Sequence, residues 1–143
     1  MSELLQAICD ELVLANHILF NEDVLDAFGH VSVQHPKCPG HFFMSCSGAP
    51  ELMKQEDILE YGPDSQPFNS SGQGLYIERF IHGEIYRERA DVNAICHHHE
   101  AAIMPFCIAG IPLVPVYQHV AMLGPKCRCG IAAMNSAIRT CSS

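Results

Sequence analysis

The chain has 143 residues, 48% of them hydrophobic, and a formal charge of −8. That is the length of one domain with bulk enough for a core. The acidic balance argues against nucleic acid, which needs a basic face, and no apolar run approaches the ~20 residues of a membrane span. Eight cysteines without framework spacings read as reduced thiols rather than a disulfide scaffold. Cys127-x-Cys129 is too short for the usual metal knuckle.

The opening SELLQAICDELVLANHIL sets Leu4, Ile8, Leu12, Ala15 and Leu19 among acidic residues. This spacing predicts an amphipathic helix over 3–20, not an export signal, so a cytoplasmic location is expected. Strands follow near 29–35 and 41–46, then a short helix or turn near 50–60 and a polar Gly/Pro/Ser loop over 62–74. A helix over 75–89 carries Ile77, Ile81 and Ile85 at helical spacing, a strand occupies 92–98, and a helix 100–109. A last strand over 113–116 is set off by Pro112 and Pro115. Hairpin-like strand pairs mixed with helices predict an α/β sandwich rather than a regular parallel winding.

The segment YIERFIHGEIYRERADVNAICHHH, residues 76–99, concentrates the chemistry. His97 and His99 lie two apart after the largely apolar run 92–96, so both imidazoles leave one face of a strand and His98 the other. Glu78 sits on the preceding helix. A carboxylate and two imidazoles are ligands suited to zinc, manganese or iron, and three ligands with an open position form the catalytic rather than the structural pattern. Ser45, Ser47 and Gly48 make a small-residue turn whose backbone N–H groups could cradle an anion, or which is simply a tight loop.

These motifs, with AFGHVSVQHP and the SCSG turn, fall in the order found in the class II aldolase/adducin family, which the chain resembles from about Ser2 to Lys126. The family includes fuculose-phosphate aldolase, ribulose-phosphate 4-epimerase and aromatic-acid decarboxylases. The resemblance implies a three-layer αβα sandwich around a mainly antiparallel sheet, and residues 1–126 as the N-terminal part of such a domain. It also implies a divalent metal (Mn²⁺ or Zn²⁺, with Fe²⁺ as a further choice) held by Glu78, His97, His99 and a later histidine absent here, with Glu78 doubling as catalytic acid or base. Fourfold-symmetric tetramers are the expected assembly of the parent.

Within the family the wording resembles the branch of pyridine- and phthalate-type decarboxylases. Sugar-phosphate aldolases carry a serine pair before the metal glutamate where this chain has Tyr76 and Ile77. The family's Gly-Asn turn reads Gly29-His30-Val31-Ser32 here, and His30 is expected to meet a substrate carboxylate as a charged donor. The implied substrate is a small hydroxylated aromatic or heteroaromatic carboxylate, touched by His30, Ser32, Ser45, Ser47, Gly48 and Tyr76. A sugar-phosphate aldolase or epimerase is the alternative, and a non-catalytic adducin-like module a second.

From Cys127 the chain reads CRCGIAAMNSAIRTCSS, without apolar periodicity and unlike the family. Back-translated and moved by one base, a choice of synonymous codons gives VPVWDSRDEFGDTNMLV, which resembles the family's continuation. Residues 127–143 therefore read as a frameshifted, non-native tail, leaving the fold incomplete at its C-terminus and the activity impaired.

Overall fold

The computed structural model describes residues 3–114. Along the chain come α1 (Glu3–Asn21), β1 (His30–Gln34), β2 (Phe42–Ser45), two single 3₁₀ turns (Pro50–Leu52 and Gln55–Asp57), β3 (Ile58–Tyr61), α2 (Arg79–Glu88), β4 (Ala94–His97) and α3 (Met104–Ala109). Residues 115–116 of the strand expected over 113–116 lie outside the described residues, as does the tail. Among the described residues no helix is long and apolar enough to cross a membrane.

The four strands form one antiparallel sheet in the order β3-β2-β1-β4. Alternate side chains leave opposite faces of a strand, and the residue types sort accordingly. On one face Val31 and Phe43 meet Cys9, Leu12 and Leu25, with Ile8 and Leu19 of α1 against them. On the other, Phe42, Met44, Leu59 and Tyr61 pack with Tyr76 and Tyr86. Helix, sheet and helix thus make the three layers of an α/β sandwich, with α1 covering one face and α2 the other.

Two expectations are corrected. The stretch 50–60 ends in β3, not in helix: Leu59 and Tyr61 point inward while Glu60 points out to His41, whose Nδ1 lies 3.1 Å from its carboxylate. The strand begins directly after the acidic turn Gln55–Asp57 and carries Glu60, so no turn signal or apolar run marks it off. On α2 the buried face is His82, Gly83 and Tyr86 rather than the isoleucine row, and Ile77 is 68% exposed. Hydrogen bonds of Ser32 on β1 with His82 Nδ1 and Tyr86 Oη hold these two side chains in the core where the isoleucines were expected.

Gly83 is where α2 meets the loop before it. A Cβ added there would overlap the Ser65 hydroxyl and come within 3.6 Å of Phe42. Ser65 is itself buried, in a left-handed conformation at φ 59°, and its carbonyl accepts a hydrogen bond from Arg79 Nε. Gly83→Leu is therefore expected to destabilise the fold by about 1–3 kcal/mol through overpacking, even though glycine is a poor helix residue. Urea denaturation followed by circular dichroism checks this, and a variant as stable as wild type would show that the loop yields freely.

The chain divides into two compact units, Met1–His99 and Glu100–Ser143. In the second, α3 opens with a proline in its first turn and closes on Gly110 in the left-handed conformation, the usual glycine stop.

Candidate active site

The face of the sheet beneath α2 carries the chemistry. On β1, His30 and Ser32 point to this side, and antiparallel pairing sets His30 opposite His97 and Ser32 opposite Ile95. The α2 helix lowers His82 and Tyr86, one turn apart, onto Ser32. Its hydroxyl lies 2.6 Å from His82 Nδ1 and 2.7 Å from Tyr86 Oη. All three side chains are buried.

His30 is packed between rings: Tyr76 stacks on it at 4.1 Å between centroids, and His97 at 4.9 Å. Its Nδ1–H donates to the Phe28 carbonyl at 3.1 Å, so its Nε2 presents a lone pair. That Nε2 and the Nε2 of His82 are both buried with no hydrogen-bond partner among the described residues. Burial pushes the imidazole of His30 down to about 4 and that of His82 to about 3. Burial thus opposes the charged form of His30 that was expected to donate to a carboxylate.

His97 joins two groups. With His30 and His82 it brings one ring nitrogen from each residue within 4.8 Å of the others. On its other side His97 Nε2 lies 3.2 Å from His99 Nε2, close to the separation of about 3.4 Å between two nitrogens bound to one tetrahedral zinc. His99 Nδ1–H in turn donates to the Asp26 carboxylate at 3.2 Å, which turns the His99 Nε2 lone pair toward His97. A carboxylate holding a histidine in this way is the common outer support of a metal ligand. Burial works to raise the Asp26 carboxyl, but hydrogen bonds from His99 and the Phe28 backbone hold it below the usual range.

Glu78 stands immediately before the first turn of α2 and is half-buried. Its negative charge favours the protonated forms of both His30 and His97, which puts the carboxylate within electrostatic reach of both rings. Burial nevertheless leads in lowering His97. The donor set around His97 thus suits a divalent cation.

The turn after β2 departs from the anion cradle considered above. The Cys46 N–H bonds the Asp57 carbonyl at 2.7 Å, the Ser47 N–H bonds the Gly74 carbonyl at 2.8 Å, and the Gly48 N–H bonds Tyr76 Oη at 3.2 Å. Tyr76 closes the clasp by donating to the Gly48 carbonyl at 2.6 Å. The Ser47 and Gly48 N–H groups are spent on the loop before α2 and that of Cys46 on the turn before β3, with Ser45 fully buried behind them. Ser47 and Gly48 instead border a shallow recess of about 180 Å³ that includes Cys46, Met53 and Asp57.

Sequence reasoning missed three contributors. His82 and Tyr86 at helical spacing below Glu78 were a legible signal. Asp26 was not, because only the fold brings it to a histidine 73 positions away.

Comparison with known proteins places this arrangement in its family. The model of the class II aldolase and adducin N-terminal domain matches residues 10–138, and the chain belongs to that family. It is similar to the decarboxylase tropJ of Talaromyces stipitatus, 41% identical over 110 residues that make up 76% of this chain and 41% of that protein. The L-fuculose 1-phosphate aldolase of Glaciozyma antarctica is 28% identical, with a TM-score of 0.69 over 76% of this chain and 46% of its own. An aldolase II superfamily protein from Pseudomonas syringae shares the fold at a TM-score of 0.74 and 21% identity, over 87% of this chain and 51% of its own. The chain spans about half the length of these relatives or less.

Proposed function

We propose that the protein from which this chain derives is a divalent-metal-dependent carbon–carbon lyase that decarboxylates a hydroxylated aromatic or heteroaromatic acid in the cytoplasm, as a homotetramer. The observation that carries the metal reading is the facing pair of His97 and His99 nitrogens, backed by Asp26 and within reach of Glu78. A bound divalent ion, manganese or zinc before iron, would supply Lewis-acid stabilisation of the negative charge that develops on substrate oxygen. Glu78, His97 and His99 would hold it.

The residues of the chain supply the rest. Loss of carbon dioxide leaves the bonding electron pair on the ring carbon, delocalised onto a neighbouring oxygen, and that carbon must then take a proton. Glu78 would be the acid once it has left the ion and taken up a proton from solvent, which it then passes to the ring carbon. The spent N–H groups of Cys46, Ser47 and Gly48 favour decarboxylation over sugar-phosphate cleavage, because a phosphate would find few donors there or at Tyr76 and Ile77. The similarity to a decarboxylase points the same way.

Residues 127–143 lie outside the described residues, and we read them as frameshifted. Resequencing across codon 127 tests this, and an unchanged frame overturns it. The gene restored to the shifted frame should release carbon dioxide from dihydroxyphthalate-type acids in the presence of Mn²⁺ and cleave fuculose 1-phosphate more slowly. The reverse order of rates would establish the aldolase alternative.

Asp26→Ala should weaken Mn²⁺ binding by the 143-residue chain roughly tenfold, the lower end for loss of an outer support, with Asp26→Asn retaining most of it. Isothermal titration would show this, and undiminished affinity in the alanine variant would remove Asp26 from the centre.

A further inference from the structure

Buried polar atoms nearly always have a partner, and an exception calls for a cause such as a bound ion. Two exceptions lie side by side beneath α2. His30 and His82 are fully buried with ring centroids 5.0 Å apart, and Nε2 of each has no hydrogen-bond partner among the described residues. His97 completes the group, since one ring nitrogen from each of the three lies within 4.8 Å of the others. A histidine that binds a metal commonly gives its other ring hydrogen to a backbone carbonyl or a similar acceptor, and His30 Nδ1–H does so to the Phe28 carbonyl at 3.1 Å. At His82 the neighbour of Nδ1 is Ser32 Oγ at 2.6 Å. A hydroxyl can accept a hydrogen as readily as give one, so the form of His82 that ligates through Nε2 is open to it.

We propose that His30, His82 and His97 form an inner position for one divalent ion, distinct from the outer set of Glu78, His97 and His99. Three histidines with an open fourth position are an established zinc arrangement. The absence of a carboxylate selects the ion: imidazoles suit zinc, copper or nickel, whereas manganese favours oxygen ligands. Zn²⁺ therefore goes to the inner position and Mn²⁺ to the outer one, beside Glu78. A neutral imidazole has a single lone pair, so His97 serves one position at a time and each ion excludes the other. The inner position stands without the lyase reading above, and only the exclusion rests on it. Nitrogens on a tetrahedral zinc stand about 3.4 Å apart, so binding draws the three rings together from their 4.8 Å spread and opens the near-parallel stack of His30 on His97.

Long-range proton–nitrogen correlation spectra of the 143-residue chain, labelled with ¹⁵N-histidine and given one equivalent of Zn²⁺ at neutral pH, test the assignment. Coordination shifts are expected at His30, His82 and His97, and none at His99. Shifts confined to His97 and His99 would overturn the inner position and leave the outer one standing, whereas no shift at any histidine would overturn both. Titration calorimetry gives a second test. His30→Asn should weaken Zn²⁺ binding by more than about tenfold, the least expected for loss of any support of a metal, while Mn²⁺ binding stays near that of wild type and shows the variant to be folded. His99→Ala, a change at an exposed residue, should do the reverse. If His30→Asn loses both ions, His99→Ala decides: Zn²⁺ affinity near that of wild type supports the inner position, and its loss together with that for Mn²⁺ overturns it.

Discussion

His97→Ala is expected to lower the affinity of the chain for Mn²⁺ or Zn²⁺ by more than about a hundredfold, since loss of an outer support alone costs roughly 10- to 100-fold. The residue is the hinge of the site: its ring stacks on His30, and its Nε2 faces that of His99 at 3.2 Å. Without it Glu78 and His99 remain as a two-ligand set that cannot hold the ion at ordinary concentrations. His98→Ala is the control, one position away on the same segment. Titration calorimetry of the three proteins decides the matter. Equal binding by wild type and His97→Ala would place the metal elsewhere or remove it.

Acid should unfold the metal-free chain well before its carboxylates titrate. In the folded state His30 and His82 protonate only near about 4 and about 3, whereas in the unfolded chain a histidine does so near about 6.5. Below that value the unfolded chain binds protons that the folded chain refuses, so stability is complete above about pH 6.5 and is lost as the pH falls toward 4. Each pH unit in that window costs about 1.4 kcal/mol per histidine. At pH 5 the two together remove about 4 kcal/mol, much of the 5–15 kcal/mol typical of a domain. Circular dichroism across pH 7.5 to 4 should record the transition, and His82→Gln should move its midpoint to lower pH. A chain that keeps its cooperative melt at pH 4.5 would show that these rings are hydrated.

The layers were largely legible because their signals are local. Leu12, Val31 and Phe42 follow helix or strand periods that the fold obeys, and the family motifs fixed the order of the elements. β3 was lost because it follows directly on the acidic turn Gln55–Asp57 and carries Glu60 within it, so no apolar run sets it apart. The site was legible where spacing alone carries it, as with His97 and His99. The parts that were not legible depend on sheet register: the pairing of His30 with His97 and the reach of Asp26 to His99 join distant segments. The free cradle failed for a related reason, since the partners that consume its N–H groups, Gly74 and Tyr76, arrive from a loop with no period of its own.

Along β1 the pleat separates two kinds of mutational tolerance. Val31 and Val33 look toward α1, where any side chain of similar bulk keeps the layers together and an exchange such as valine for isoleucine costs little. His30 and Ser32 look toward α2, where a change of one atom alters a hydrogen-bond direction and with it what the neighbouring ring can grip. Inherited variation in this strand should therefore be striped, free at every second residue and frozen between. A substitution at His30 or Ser32 then changes the site while the α1 side of the same strand keeps its packing.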